Sequence, residues 1–184
     1  ETDAAYVDVR DDFRWVNAGE RFFWTSDSAF GEQGTKAWRQ IGTIFWDTRG
    51  KQVLVTRIPM TQGFDVMGVD YADVDKGLVF VSASDQATQK WLYKVPQDGG
   101  QSAPVLSPNM PRSYVPLLEG GKPIAAGGWH EYQISPDGAL AIHTWSAFHV
   151  PPVIDLVRLP SHERVRVLVD NQPPAVIEKV RELA

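Results

Sequence analysis

Cysteine is absent from this chain of 184 residues. Disulfide bonds and thiolate metal sites are therefore excluded, but the compartment stays open, because both a reducing cytosol and a bacterial envelope contain cysteine-free proteins. Long apolar runs are absent too, since none approaches the roughly 20 residues that span a bilayer. The sequence begins at Glu1 without a charged and apolar leader, and we expect it to be an excised piece of a longer protein.

Basic residues are fewer than acidic residues. The chain has 18 Lys and Arg residues against 23 Asp and Glu residues, which gives a formal net charge of -5. Charges of both signs are scattered, so there is no basic stripe to neutralise a phosphate backbone, and nucleic acid is not expected as a partner. The hydrophobic content of 43% is sufficient for one sizeable core or three small coupled cores.

Catalytic and cofactor motifs are also missing. There is no G-x-S-x-G nucleophile turn, no H-E-x-x-H zinc motif and no Walker phosphate loop. The histidines His130, His143, His149 and His162 lie in four different local contexts, and only His143 and His149 are close in sequence. A metal site would need a third ligand that the sequence does not supply. The sequence therefore predicts no catalytic residue, no metal ligand and no cofactor, and it leaves the substrate-binding residues unknown.

Acidic residues at three places in the sequence raise the question of calcium binding or acid–base chemistry. The stretch 73–77 superficially resembles a calcium loop, but its twelfth position is Ser84, where calcium requires a bidentate Glu. We interpret it as a solvated turn. Other close carboxylates lack the apolar surroundings that would separate their pKa values for acid and base roles. These pairs are Asp11 with Asp12 and Glu119 with Glu131.

What the sequence does contain is a repeat of about sixty residues. Turn glycines at Gly19, Gly77 and Gly138 each precede an apolar segment, and each unit predicts four antiparallel strands. Four such strands form one blade of a β-propeller. We therefore expect an all-β partial propeller over 1–172. Its predicted blades are 7–60, 61–107 and 128–172, with strands at 13–16, 21–26, 43–48, 53–56, 66–70, 78–82, 89–96, 104–107, 129–135, 139–146, 153–160 and 165–169.

The segments between the strands carry their own signals. Ser135-Pro136-Asp137-Gly138 is typical of a hairpin turn, because Pro presets φ and Gly accepts a positive φ. Pro and Gly enrichment predicts a long loop at 108–127, and a second loop is expected at 28–40. The 20 aromatic residues lie mostly on the strands and are interpreted as core and blade packing. Residues 173–184 have the apolar spacing of a short amphipathic helix that leads out of the propeller.

Several segments, taken in order, resemble the N-terminal β-propeller of dipeptidyl peptidase IV, in the prolyl oligopeptidase clan of serine peptidases. The likeness covers nearly the whole chain, with departures at Asp27 in place of Glu, near Gly63 where a Trp is missing, and at His143 where Asp is common. The matching segments are RFFWTSD at 21–27, TQGFDV at 61–66, GLVFVSAS at 77–84, WLYKV at 91–95, GWH at 128–130 with SPDG at 135–138, Ser146 with Pro151 and Pro152, and LVDN at 168–171.

The resemblance implies a non-catalytic part of a peptidase. In that family the Ser, Asp and His of the active site lie in a C-terminal α/β-hydrolase domain, which would follow Ala184, and a Glu pair that grips the substrate's amino terminus belongs to an earlier blade. No functional residue carries over to this chain. The implied role is to gate and position peptides for the hydrolase domain in cis, in a periplasmic, envelope-associated or secreted protein. Independently of the resemblance, an incomplete propeller leaves two blade flanks exposed, and we expect a homodimer through them.

Two other functions stay open on the sequence alone. The chain could be a stand-alone propeller-like binding or scaffold module that recognises a protein or glycan through loops 28–40 and 108–127. It could also belong to a propeller glycosidase, which would require two carboxylates that converge at the axis. The reading frame after Ala184 separates these hypotheses, because only a peptidase would continue into a domain with a G-x-S-x-G turn followed by Asp and His.

Overall fold

The computed structural model describes residues 13–26, 39–47, 52–58, 65–73, 75–84, 88–95, 128–147 and 150–171, with positions 178, 179 and 182. Most of these residues lie in strands, and no helix in this part of the chain is long and apolar enough to cross a bilayer. In chain order the strands are β1 Arg14–Val16, β2 Arg21–Ser26, β3 Gln40–Asp47, β4 Gln52–Ile58, β5 Asp65–Asp73, β6 Leu78–Ser84, β7 Trp91–Val95, β8 Trp129–Ile134, β9 Leu140–Ala147, β10 Val150–Arg158 and β11 Glu163–Val169.

The strands form three antiparallel sheets in which neighbours along the chain are neighbours in the sheet. The first sheet has the order β1-β2-β3-β4, the second β5-β6-β7 and the third β8-β9-β10-β11. Short connections favour this arrangement, because an antiparallel pair can be joined by a tight turn whereas a parallel pair needs a long crossover. The predicted all-β class, with about three repeated antiparallel sheets as in a partial propeller, is confirmed.

Some expectations fall on residues outside the described part of the chain. They include the fourth strand of the middle unit at 104–107, loop 108–127, most of loop 28–40 and most of the helix at 173–184. Gln40, the last residue assigned to the first loop, begins β3 instead. The predicted blade boundaries at 7–60, 61–107 and 128–172 stay predictions.

The chain forms two compact units. Unit 1 comprises residues 1–85 and 93–104, and unit 2 comprises residues 86–92 and 105–184. Unit 1 therefore contains the strands from β1 to β6, and unit 2 contains those from β8 to β11. Strand β7 is divided between the units after Leu92.

Within unit 1 the first two sheets are joined through β5. The guanidinium of Arg14 donates from Nε to the carbonyl of Val69 at 3.0 Å, and the amide of Val66 donates to the carbonyl of Arg39 at 3.0 Å. Phe23 and Phe80 are fully buried in this unit. Burial of a large apolar side chain contributes about 1.5–3 kcal/mol, so these rings are a main source of the stability of unit 1.

The opposite face of the first sheet carries exposed aromatic rings. Trp15 pairs with Phe22 across β1 and β2, and their ring centroids are 4.8 Å apart. The ring of Phe22 lies 5.7 Å from that of Trp24, two positions along the same strand. Trp15 is 58% exposed and Phe13 is 47% exposed. The interpretation of the aromatics as core therefore holds for Phe23 and Phe80, whereas this aromatic face of β1 and β2 remains open to solvent.

The hairpin turn predicted at 135–138 is present in unit 2. The amide of Gly138 donates to the carbonyl of Ser135 at 2.8 Å, and Gly138 has a φ of 70°, a conformation that glycine adopts without a steric penalty. The turn sets the pairing of β8 with β9, in which Tyr132 lies opposite His143. Because side chains alternate along a strand, even-numbered residues of β8 share a face with odd-numbered residues of β9.

Gly128 and Gly68 offer a test of packing in the two units. A Cβ at Gly128 would lie 2.5 Å from the carbonyl oxygen of Ser146 and 2.7 Å from Nε1 of Trp145, whereas a Cβ at Gly68 would meet nothing within 4 Å. We expect Gly128→Ala to lower the free energy of unfolding by about 1–3 kcal/mol. Gly68→Ala should be neutral or stabilising by up to about 1 kcal/mol, because it restricts the unfolded chain. Urea denaturation of both variants measures this, and equal effects would contradict the packing.

Candidate functional site: a buried histidine network

The interior face of the third sheet contains polar side chains where an apolar core is the rule. His130, His143 and Asp155 are 0%, 1% and 2% exposed. Cross-strand pairing explains the juxtaposition, because Asp155 on β10 lies opposite His143 on β9. We call the connected set His130, Tyr132, His143, Asp155, His162 and Arg164 the histidine network.

A hydrogen-bonded chain crosses the sheet from its outer strand inward. Arg164 on β11 donates from Nε to Oδ2 of Asp155 at 2.8 Å, and the other carboxylate oxygen lies 2.8 Å from Nδ1 of His143. Nε2 of His143 then lies 2.9 Å from Nδ1 of His130. Each distance is that of a strong hydrogen bond.

The order of donors in this chain follows from the carboxylate. An ionised Asp155 only accepts hydrogen bonds, so Nδ1 of His143 carries a proton and donates to it. With neutral imidazoles, Nε2 of His143 accepts from the N–H at Nδ1 of His130. This leaves Nε2 of His130 as an acceptor, and it is buried without a hydrogen-bond partner among the described residues.

Aromatic stacking holds the rings in place. The ring of His130 lies between Trp91 and His143, with centroid distances of 4.9 Å and 5.2 Å. Tyr132 stacks on His143 at 4.7 Å, and its hydroxyl lies 2.9 Å from Nε2 of His162. His162 meets His143 edge-on at 4.8 Å. The imidazoles of His130 and His162 therefore both contact that of His143.

Burial and charge set the protonation of these groups. Burial, reinforced by the nearby His143 and His162, lowers the pKa of His130 to about 2. Burial and His143 lower the pKa of His162 to about 4. Burial by itself raises the pKa of Asp155, but hydrogen bonds and charges from His143 and Arg164 outweigh it and hold that pKa below its usual range. At neutral pH the network thus has an ionised Asp155 with His130 and His162 neutral.

The geometry of the histidine network favours a structural role over catalysis or metal binding. An Asp–His pair resembles part of a hydrolase triad, but the position of the nucleophile is occupied by His130, which has no solvent exposure to admit a substrate. The 2.9 Å between the two histidine nitrogens is a hydrogen-bond distance, shorter than the separation of two nitrogens on one tetrahedral zinc ion. Among the described residues no group of three or more His, Cys, Asp or Glu side chains is arranged to hold a metal.

The four histidines lie in different local contexts along the sequence, but that separation does not persist in three dimensions for three of them. The structure brings His130, His143 and His162 together, and His149 lies outside the described residues. The signal was present in the turn at 135–138, because a four-residue hairpin turn fixes which residues of β8 and β9 share a face. Asp155 and Arg164 could not be found in this way, since the register shifts within the pairing of β9 with β10 and again within that of β10 with β11.

The acidic stretch at 73–77 forms a turn at Asp75–Gly77, in agreement with its interpretation from the sequence. Oδ1 of Asp73 accepts from the amide of Lys76 at 3.1 Å, and Oδ2 lies 3.2 Å from Nζ of the same residue. The amide hydrogen bond, with the Lys76 charge and the Tyr71 hydroxyl, lowers the pKa of Asp73. Of the other carboxylates considered, Glu131 is exposed and accepts from Nε1 of Trp129 at 3.0 Å, and Asp11, Asp12 and Glu119 lie outside the described residues.

Comparisons with known proteins give matches at the level of structure. No protein-family profile and no curated protein matches the chain. Among solved structures, dipeptidyl peptidase 4 of Porphyromonas gingivalis is similar over 92% of this chain, with a TM-score of 0.63 and 20% sequence identity. A protein assigned as dipeptidyl aminopeptidase IV of Bacteroides ovatus is similar over 85% of this chain, with a TM-score of 0.55 and 12% identity.

This chain shares the fold of a segment of dipeptidyl peptidase IV. The resemblance inferred from the sequence is confirmed in the structural comparison, and at identities this low the likeness establishes the fold. The chain spans 19% and 21% of the two solved structures, or about a fifth of each. Activity and substrates belong to the longer proteins and are a matter of proposal for this chain.

Replacement of Asp155 by Asn tests the network. The amide keeps the size of the carboxylate, but it loses the charge that Arg164 requires and presents one donor where two acceptors are needed. Removal of one partner from a buried ion pair costs about 3–5 kcal/mol, and we expect the lower end because Arg164 is 28% exposed. The measurement is urea unfolding followed by circular dichroism.

Glu163→Gln is the matched control for Asp155→Asn. Glu163 pairs with Arg158 at 3.5 Å, and both side chains are more than half exposed. Such a surface pair contributes at most about 1 kcal/mol. If Asp155→Asn lost no more stability than this control, the carboxylate would not be the centre of the network.

Proposed function

We propose that this chain is part of the non-catalytic N-terminal β-propeller of a dipeptidyl peptidase IV-like serine aminopeptidase. The observation that carries the proposal is the fold shared with dipeptidyl peptidase 4 over 92% of the chain. The family-like segments appear in the family's order along the sequence, which supports the same assignment. In this proposal the catalytic Ser, Asp and His belong to a C-terminal α/β-hydrolase domain of the same polypeptide.

The proposed role of the chain is to gate and position peptide substrates. A propeller wall admits short or unfolded peptides to an enclosed site and excludes folded proteins by size. Such a wall needs rigid sheets rather than reactive groups. The histidine network agrees with this role, because its hydrogen bonds cross the third sheet and His130, His143 and Asp155 are buried. A periplasmic, envelope-associated or secreted location belongs to the same proposal.

One observation favours the alternative of a binding module. The aromatic face of β1 and β2 presents Trp15 and Phe13 to solvent, and contiguous exposed aromatic surface is typical of a contact site. In the peptidase proposal the same face packs on a further sheet of the longer protein. In the module alternative it binds a protein or glycan, or it pairs with a second copy of the chain.

The peptidase proposal predicts that the longer protein has peptidase activity and that the isolated chain does not. The 184-residue chain alone should release no product from a dipeptidyl p-nitroanilide with Pro or Ala in the penultimate position, because it contains no nucleophile motif. A protein in which the chain continues into its downstream reading frame should cleave that substrate. Product release by the isolated chain, or a stop codon directly after it, would contradict the assignment.

The aromatic face also predicts self-association of the isolated chain. Light scattering after size exclusion should show a concentration-dependent dimer, and Trp15→Thr should shift it toward monomer by removing a ring that is 58% exposed. Ile142→Thr, at a residue of the third sheet that is 39% exposed, is the control and should leave the dimer in place. A compact monomer at all concentrations would count against pairing through this face.

A further inference from the structure

All histidines of the chain belong to one of its two units. Unit 2 contains residues 105–184, and the four histidines lie between positions 130 and 162. Unit 1, with residues 1–85 and 93–104, has no histidine in its sequence. A free-energy contribution from histidine titration therefore acts on unit 2.

The carboxylate that faces the histidine network is already engaged by other groups. Asp155 from β10 is the carboxylate in contact with the network, and it is already engaged by Arg164 from β11 and by His143 from β9. The group from β8 that faces His162 is the hydroxyl of Tyr132. On the flank of β8, Lys90 and Glu131 lie 3.8 Å apart and pair with each other. A proton added to His130 would have no carboxylate partner among the described residues. For His162 the charge of Asp155 favours protonation, but burial and the nearby His143 outweigh it.

His130 is the position least able to accept a proton. Its open lone pair is at Nε2, which is buried without a partner among the described residues. Protonation would create an N–H with no acceptor, on a ring stacked against Trp91. A buried donor without a partner and a buried charge without a counter-charge are both strongly unfavourable.

His162 is constrained in a different way. Its Nε2 lies 2.9 Å from the hydroxyl of Tyr132, which can donate to it while the imidazole is neutral. Protonation would turn Nε2 into a donor and would force the hydroxyl to direct its own hydrogen elsewhere. The ring also meets His143 edge-on at 4.8 Å, so the new charge would lie inside the cluster.

We propose that the histidine network makes unit 2 an acid-triggered element, whose sheet β8–β11 opens on mild acidification while the sheets of unit 1 keep their hydrogen bonds. In the open state each histidine takes up a proton near pH 6.5, its ordinary value. In the folded state His162 does so only near pH 4 and His130 only near pH 2. The open state therefore binds more protons below pH 6.5, and the stability of unit 2 is highest above that pH and falls as the pH is lowered.

The size of the effect follows from the number of histidines that stay neutral in the folded state. Each contributes up to a tenfold increase in the opening equilibrium constant per pH unit. Between about pH 6 and pH 4 both His130 and His162 contribute, so the constant should rise about 100-fold per pH unit. Below about pH 4 His162 no longer contributes, because it is then protonated in the folded state as well. Asp155 contributes instead in that range, because its pKa is lowered in the folded state.

Amide hydrogen exchange of the 184-residue chain measures this difference between the units. Exchange followed by mass spectrometry at pH 7.5, 6.5, 5.5 and 4.5, corrected for the intrinsic pH dependence of exchange, gives the opening constant of each strand. Peptides from β9 and β10 should lose protection steeply below pH 6.5, and those from β2 and β6 should not. Parallel loss of protection in both units would overturn the proposal.

The variant His162→Asn tests whether the histidine network causes this pH dependence. His162 has a φ of 54°, a conformation that Asn tolerates, so His162→Asn should fold while it removes one titrating group. Between pH 6 and pH 4 the opening equilibrium constant of this variant should rise about tenfold per pH unit, instead of about 100-fold in the wild type. Glu163→Gln, at the adjacent exposed residue, should keep the wild-type slope. A wild-type slope in His162→Asn would overturn the proposal.

Nitrogen-15 spectra of the histidine side chains provide a measurement that requires no variant. They distinguish neutral from protonated imidazoles in the folded chain. We expect the signal of His130 to remain that of a neutral ring down to the pH at which β9 and β10 open. A folded chain with protonated His130 at pH 5 would overturn the proposal.

Discussion

The ion pair between Arg164 and Asp155 is the interaction on which the polar interior of the third sheet depends. A carboxylate as buried as Asp155 is tolerable only when its charge is balanced and its oxygens are hydrogen-bonded. Arg164 supplies the charge and one donor, and His143 supplies the second donor. The tautomer of His143, and through it the orientation of His130, follows from that pair.

Such a network contributes to specificity as well as to stability. Apolar side chains of similar volume could fill the same space without the desolvation of charged groups, so the network is a weak source of net stability. It does define the register of the sheet, because a slip of β9 by one residue would move His143 to the solvent face and remove one of the two donors of Asp155. The side chains of the histidine network thus fix the strand register of the third sheet, and protonation of His130 or His162 would destabilise that arrangement.

The shared fold with dipeptidyl peptidase IV and the chemistry of the network lead to the same view of this chain. Its described strands form antiparallel sheets, and the ionisable groups of the histidine network are engaged with one another. By contrast, the aromatic side chains around Trp15 on the first sheet are exposed to solvent. The gating role that we propose would use both features, since a propeller wall needs a well-defined interior and a surface that packs on its neighbours.

The sequence by itself determined the all-β class, the repeated antiparallel sheets, the turn at 135–138 and the resemblance to the peptidase propeller, because hydrophobic alternation and turn residues act locally. Only the tertiary structure decided that His130, His143 and His162 form one cluster with Asp155 and Arg164. The cluster depends on pairing between four strands, with register shifts within β10 and β11 that leave no mark in the local pattern. Proximity across a sheet is set by register, and register is a property of the whole sheet rather than of any one strand.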